Sequence, residues 1–164
     1  MASANALRND AGTYLLWLRA NEAHTVEVGR LGTLSVQPGV YGYVGSAFGP
    51  GGVGARVRRH LRKRDKALHW HVDYLRAVTR LEAVWLTYDD VRRECTWAAH
   101  LRALSVGDPP LDGFGASDCD CPSHLVRFTS RPPLPVFRER LRAATHGHAP
   151  VHALRSSDEA GEDR

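Results

Sequence analysis

Apolar residues come in short runs or alternate with polar ones through the first third of the chain, the pattern of β-strands. Thr13 to Leu18 is aromatic and apolar, and Thr25 to Val28 alternates. Gly29 to Gly32 turns the chain into Thr33 to Val36, and Pro38-Gly39 turns it again into Val40 to Val44. A loop with four glycines and a proline, Gly45 to Gly52, follows. The period then changes. Val53, Val57 and Leu61 recur every four residues, one apolar stripe on a helix. His69 to Val78 predicts a second helix with Val72 and Leu75 inward, and Leu81 to Tyr88 a strand. Asp89 or Asp90 can cap a helix over Val91 to Leu104. After a Gly, Pro and Asp-rich loop, 108–122, His124 to Phe128 predicts a closing strand and Leu134 to Ala144 a last helix. Residues 1–10 read as a flexible lead-in and 145–164 as a disordered tail, leaving one domain over 11–144. The class expected is α/β (α+β): a small, mostly antiparallel central sheet flanked by helices.

Composition narrows the picture. The 164 residues are 43% hydrophobic, enough for one packed domain. No run of about 18 apolar residues is present, which excludes a membrane-spanning helix. Met1 to Asp10 lacks the apolar run of a secretory leader, so the expected location is cytoplasmic. Three cysteines give no disulfide framework. The net charge of +4 is unevenly spread. Arg56, Arg58, Arg59, Arg62, Lys63, Arg64 and Lys66 are opposed between 56 and 66 by Asp65 alone, so the rest of the chain is net acidic. Such a patch suits a phosphate-bearing partner, though a charge run can also be a solvated helix face.

Tyr43 ends a strand before the glycine-rich loop, and Arg56 and His60 stand at i and i+4 on the basic helix. A phenol, a guanidinium and an imidazole around one cleft suit phosphodiester chemistry. Arginine can neutralise a phosphate with two bonds, while tyrosine or histidine relays a proton. The alternative is a half-buried strand aromatic and a packing histidine.

Gly12-Thr13-Tyr14 and Tyr43-Val44-Gly45 resemble the paired tripeptides of the GIY-YIG nuclease superfamily. Three further stretches make the resemblance more specific: His60-Leu61-Arg62, His69-Trp70-His71-Val72-Asp73-Tyr74-Leu75, and the run from Gly113 to Leu125 through Cys119-Asp120-Cys121-Pro122-Ser123-His124. Together they resemble the Uri-type branch, a domain also found joined to endonuclease III-like proteins in archaea. The resemblance spans about Gly12 to Phe128. The tripeptides lie farther apart than in commoner members, and the extra hairpin over 25–36 fills the gap.

This resemblance implies DNA phosphodiester hydrolysis assisted by one divalent metal, Mg²⁺ or Mn²⁺, held by a helix glutamate. The best local match is Glu94, with Glu82 and Asp73 as weaker candidates. Without the resemblance, Glu94 reads as a surface residue near a helix N-terminus. The implied roles are Tyr43 orienting or activating water with help from Tyr14 or His60, and Arg56 stabilising phosphate charge. Arg58, Arg59, Arg62, Lys63, Arg64, Lys66 and His69 would contact the DNA backbone. The substrate class implied is damaged or branched DNA. A binding module that keeps the fold without cleaving is the rival.

His69 and Asp73 share a helical face in this reading, whereas His71 points elsewhere; Trp70 suits either base stacking or a core. Cys95, Cys119, Cys121 and His124 are possible zinc ligands. Because two ligands one residue apart are tight, buried reduced thiols in a bracing loop are the preferred reading. His146, His148 and His152 carry no assigned role.

Overall fold

Strand β1 (Gly12–Ala20) is buried at nearly every position, and a strand covered on both faces belongs in the middle of a sheet. There follow β2 (His24–Val28), β3 (Gly32–Val36), β4 (Gly39–Ala47), α1 (Gly52–Leu61), α2 (His71–Arg76), β5 (Arg80–Thr87), α3 (Glu94–Leu104), β6 (Leu125–Phe128), α4 (Leu134–Ala144) and β7 (Val151–Arg155). The structure, a computed structural model, describes residues 7–62, 68, 70–105, 110–117 and 119–155.

Strand β1 pairs antiparallel with β4 on one side and β5 on the other. Strands β6 and β7 extend the two edges, giving the order β6-β4-β1-β5-β7, antiparallel throughout. Hairpin β2–β3 is a separate two-stranded sheet. Alternation along β1 sends Tyr14, Leu16 and Leu18 into one core and Leu15 and Trp17 into the other. The first core is closed by Val53 and Val57 of α1, Val72 and Leu75 of α2, and the hairpin residues Val28, Leu34 and Val36. The second is closed by Trp97 and Leu101 of α3 and Phe137 and Leu141 of α4. The expected mixed fold with an antiparallel sheet flanked by helices is therefore present. No helix among the described residues is long and apolar enough to cross a membrane.

Several local expectations are corrected. In the lead-in, Leu7 is buried, and the carbonyls of Asp10 and Arg8 accept the N–H groups of Val53 and Gly54. Residues 8–10 thus satisfy orphan donors at the start of α1, so the glycine-rich loop leaves those donors turned toward protein rather than an anion. Part of the expected tail is strand: β7 pairs with β5 from Thr87↔Val151 to Ala83↔Arg155. Its apolar residues explain why no period-2 signal appears, since Val151 enters one core and Leu154 the other. Residues 1–6 and 156–164 lie outside the described residues. Helix α1 ends at Leu61, where Arg62 is already extended, so the basic run is not one continuous described helix. Lys63, Arg64, Lys66 and His69 lie outside the described residues.

Helix α2 begins at His71, with Trp70 as its N-cap, because the Asp73 carboxylate accepts the Trp70 N–H at 2.8 Å. Helix α3 begins three residues later than expected. Asp89 instead braces the turn before it, accepting from Val91 N–H (2.9 Å), Arg93 Nε (3.0 Å) and Ala149 N–H (2.9 Å).

Candidate functional site

Because β1 and β4 are antiparallel, the start of one lies beside the end of the other, and both tyrosines of the paired tripeptides arrive at the same end of the sheet. Tyr14 stands opposite Gly45, and Tyr43 opposite Leu16. Gly45 has no room for a side chain, as a Cβ there would lie 2.4 Å from the Tyr14 Oη. The Tyr14 ring occupies that space. The starts of α1 and α3 reach the same end, and a cleft of about 490 Å³ opens between them. Tyr14, Tyr43, Arg56 and Glu94 all line it, with Ser46, Phe48, Trp70, His71 and Arg92.

Arg56 is fixed from two sides. Its Nη1 donates to the Ser46 carbonyl at 3.2 Å, and its guanidinium lies over the Trp70 ring, 4.5 Å from the centroid. His60 does not line the cleft. It is buried behind Tyr14, with Nε2 2.8 Å from the phenol oxygen, and its carbonyl accepts Arg76 Nε at 3.1 Å. Burial pushes the Tyr14 phenol above its ordinary pKa despite the opposing Arg56 charge. Burial likewise raises Tyr43, followed by the proximity of Tyr14 and Glu94. Both phenols are therefore protonated at neutral pH.

The other predicted contacts separate. Arg59 makes a two-bond ion pair with Asp73, at 2.7 and 2.9 Å, and covers the Trp70 ring. Asp73, fully buried in that pair, is not a cleft carboxylate. Glu82 pairs with Arg19 and Arg80 away from the cleft. Arg58 donates to the Leu7 carbonyl, and Arg62 is exposed.

Sequence reasoning missed two residues of the cleft. His71, expected to point elsewhere, lines the cleft, and its Nδ1 accepts the Gly115 N–H at 2.8 Å. Burial lowers its pKa, so it is neutral at pH 7. A helix start two residues later than expected changes its face. Arg92 is a second cleft cation, held by Ser46 Oγ at 3.3 Å and stacked over Phe48. Its only sequence signal is its place just before a helix bearing a candidate carboxylate. His148, given no role above, accepts Trp97 Nε1–H at 2.9 Å and lies parallel to that indole.

The cysteines also depart from the preferred reading. Cys95 is exposed, and Cys119 and Cys121 are half-buried. Their sulfurs and a His124 ring nitrogen all lie within 4.8 Å of one another, a cluster that could hold a metal ion. These are the four residues named as possible zinc ligands; spacing within the loop argued against them, but Cys95 joins from the first turn of α3.

A family model described as "Domain of unknown function DUF123" matches residues 13–146, and the chain belongs to that family. Comparisons with curated proteins and with solved structures gave no match.

Proposed function

We propose that this DUF123 chain is a divalent-metal-dependent DNA endonuclease of the GIY-YIG type, Uri-like branch, acting on damaged or branched DNA. The observation that carries the reading is convergence: Tyr14, Tyr43, Arg56 and Glu94 come from β1, β4, α1 and α3 and line one cleft.

Arg56, anchored on Ser46 and Trp70, presents its guanidinium to the scissile phosphate, and Arg92, which also bonds Ser46, adds a second positive charge. Such preplaced cations stabilise charge that grows in the transition state. Tyr43 orients the attacking water through its hydroxyl. With His60 Nε2 unprotonated, Tyr14 donates to it. A proton arriving at Tyr14 Oη is then matched by one leaving for His60 Nε2, so the phenol relays without standing as a free phenolate.

Glu94 would hold the Mg²⁺ or Mn²⁺. Its side chain is 19% exposed and lines the cleft, and a hard carboxylate oxygen beside a phosphate site fits an ion that keeps several waters. When bound, such an ion supplies Lewis-acid stabilisation of the phosphate and the leaving oxygen.

The test is cleavage of single-stranded, nicked, abasic, flap and branched DNA with Mg²⁺, Mn²⁺ or EDTA. Metal-dependent cuts at defined positions are expected. Inactivity throughout, with salt-sensitive binding retained, would assign the chain to the binding-module class instead.

A further inference from the structure

The Cys/His cluster lies outside the proposed chemistry, and its donor set differs from that of the cleft. Soft thiolates with an imidazole select zinc, whereas a lone carboxylate suits a hard ion. The distances agree with one tetrahedral centre. Zn–S of about 2.3 Å and Zn–N of about 2.0–2.1 Å give tetrahedron edges of roughly 3.5–3.8 Å. Cys119 Sγ already lies 3.3 Å from His124 Nε2, and no pair in the cluster exceeds 4.8 Å. Small side-chain rotations close the rest.

The segments joined are the ones that need joining. Among its described residues, the stretch before β6 has turns but no helix or strand of its own. It is held by Gly113 N–H to Pro122 C=O (2.7 Å), His124 N–H to Phe114 C=O (2.8 Å) and Val44 N–H to His124 C=O (2.9 Å). Cys119, Cys121 and His124 belong to it, and Cys95 to the first turn of α3. The other ring nitrogen of His124, Nδ1, is 3.6 Å from Glu94 Oε2. A carboxylate on the far nitrogen fixes the ring orientation of a metal-binding imidazole. The same stretch packs Phe114 edge-on against Tyr43, with centroids 5.9 Å apart.

We propose that Cys95, Cys119, Cys121 and His124 bind one structural Zn²⁺, which clamps the segment ahead of β6 to the start of α3 and so positions Glu94 and Tyr43 in the cleft. The ion occupies all four ligand positions with protein and has no open position for substrate, as structural zinc sites do. Zinc binding is independent of the nuclease reading. The effect on the cleft rests on it.

The experiment measures metal content, the Co²⁺ spectrum and thermal unfolding of the full chain, purified reduced and without chelator. Expected are stoichiometric zinc and, after exchange, thiolate-to-cobalt charge-transfer and tetrahedral d–d bands. A fall in Tm on chelation, restored by Zn²⁺ but not by Mg²⁺, is also expected. Cys95→Ser, at an exposed position that should leave folding intact, and Cys119→Ser should each lose stoichiometric zinc. Wild type that holds no zinc and gives no cobalt bands overturns the proposal. So does a disulfide among the three cysteines in the reduced preparation, or full zinc retention in both variants. None of these readouts involves DNA, so they stand whatever the cleavage screen returns.

Discussion

Tyr14 Oη lies 2.8 Å from Nε2 of His60, an imidazole buried behind that phenol and outside the cleft lining. If the pair relays one proton, its members act as a unit. Tyr14→Phe and His60→Gln should each lower single-turnover cleavage by roughly 10²-fold. The double variant should be no slower than the slower single one. Additive losses would show two independent contributions.

Gly45 leaves the space that the Tyr14 ring fills. Gly45→Ala puts a Cβ 2.4 Å from the Oη, and neither the strand pairing nor the ring can yield freely. We expect a destabilisation of about 1–3 kcal/mol by denaturant unfolding. Cleavage should fall further than stability predicts, because the displaced ring carries the phenol away from His60.

Arg59 and Arg62 are both basic-patch residues, with opposite expected phenotypes. Arg59 pairs with Asp73, which is fully buried, so Arg59→Met should cost about 3–5 kcal/mol by removing a two-bond charge partner from a buried carboxylate. Arg62 is exposed at the end of α1. Arg62→Ala should leave stability within about 0.5 kcal/mol. It should weaken DNA binding and reduce the log–log salt slope by about 0.9. Parallel melts and salt titrations separate the two.

Acid stability should depend on Asp89. Burial pushes its carboxyl up, but the N–H groups of Ala149 and Val91 and the Arg93 guanidinium outweigh burial and hold it below the ordinary carboxylate value. The unfolded chain takes up that proton first as pH falls. The contribution is therefore complete above an unfolded pKa of about 3.9 and is lost as pH drops through the lower folded pKa. Asp89→Asn should unfold more easily at neutral pH and lose less stability than wild type on acidification. Urea midpoints across that pH range check it.

Most strands and the last helix are legible from their apolar pattern. Leu134 to Ala144 is helical as the pattern predicts, and β1 reads as a dense apolar run because both of its faces are covered. Strand β7 was not legible. It is held by edge pairing to β5, with Val151 and Leu154 facing opposite cores. Within the candidate site, Tyr43 and Arg56 were marked by type and spacing, Tyr14 and Glu94 by the resemblance, and all four line one cleft. His71 was misplaced because its direction depends on where α2 begins. With Asp73 capping the helix at Trp70, residue 71 opens α2 and lines the cleft, where it accepts the Gly115 N–H. The four residues of the Cys/His cluster were named from the sequence but ranked second to a bracing loop, because only the fold shows Cys95 of α3 meeting the other three.

The most direct test compares wild type with Tyr43→Phe, Arg56→Ala and Glu94→Ala on the DNA substrate that wild type cleaves best, each protein first shown to be folded. The account predicts metal-dependent cleavage by wild type and losses of about 10²–10³-fold or more in Arg56→Ala and Glu94→Ala. Tyr43→Phe should fall by a comparable or smaller factor, with DNA binding largely retained in all three. Undiminished cleavage by all three variants, with contaminating nucleases excluded, would contradict it.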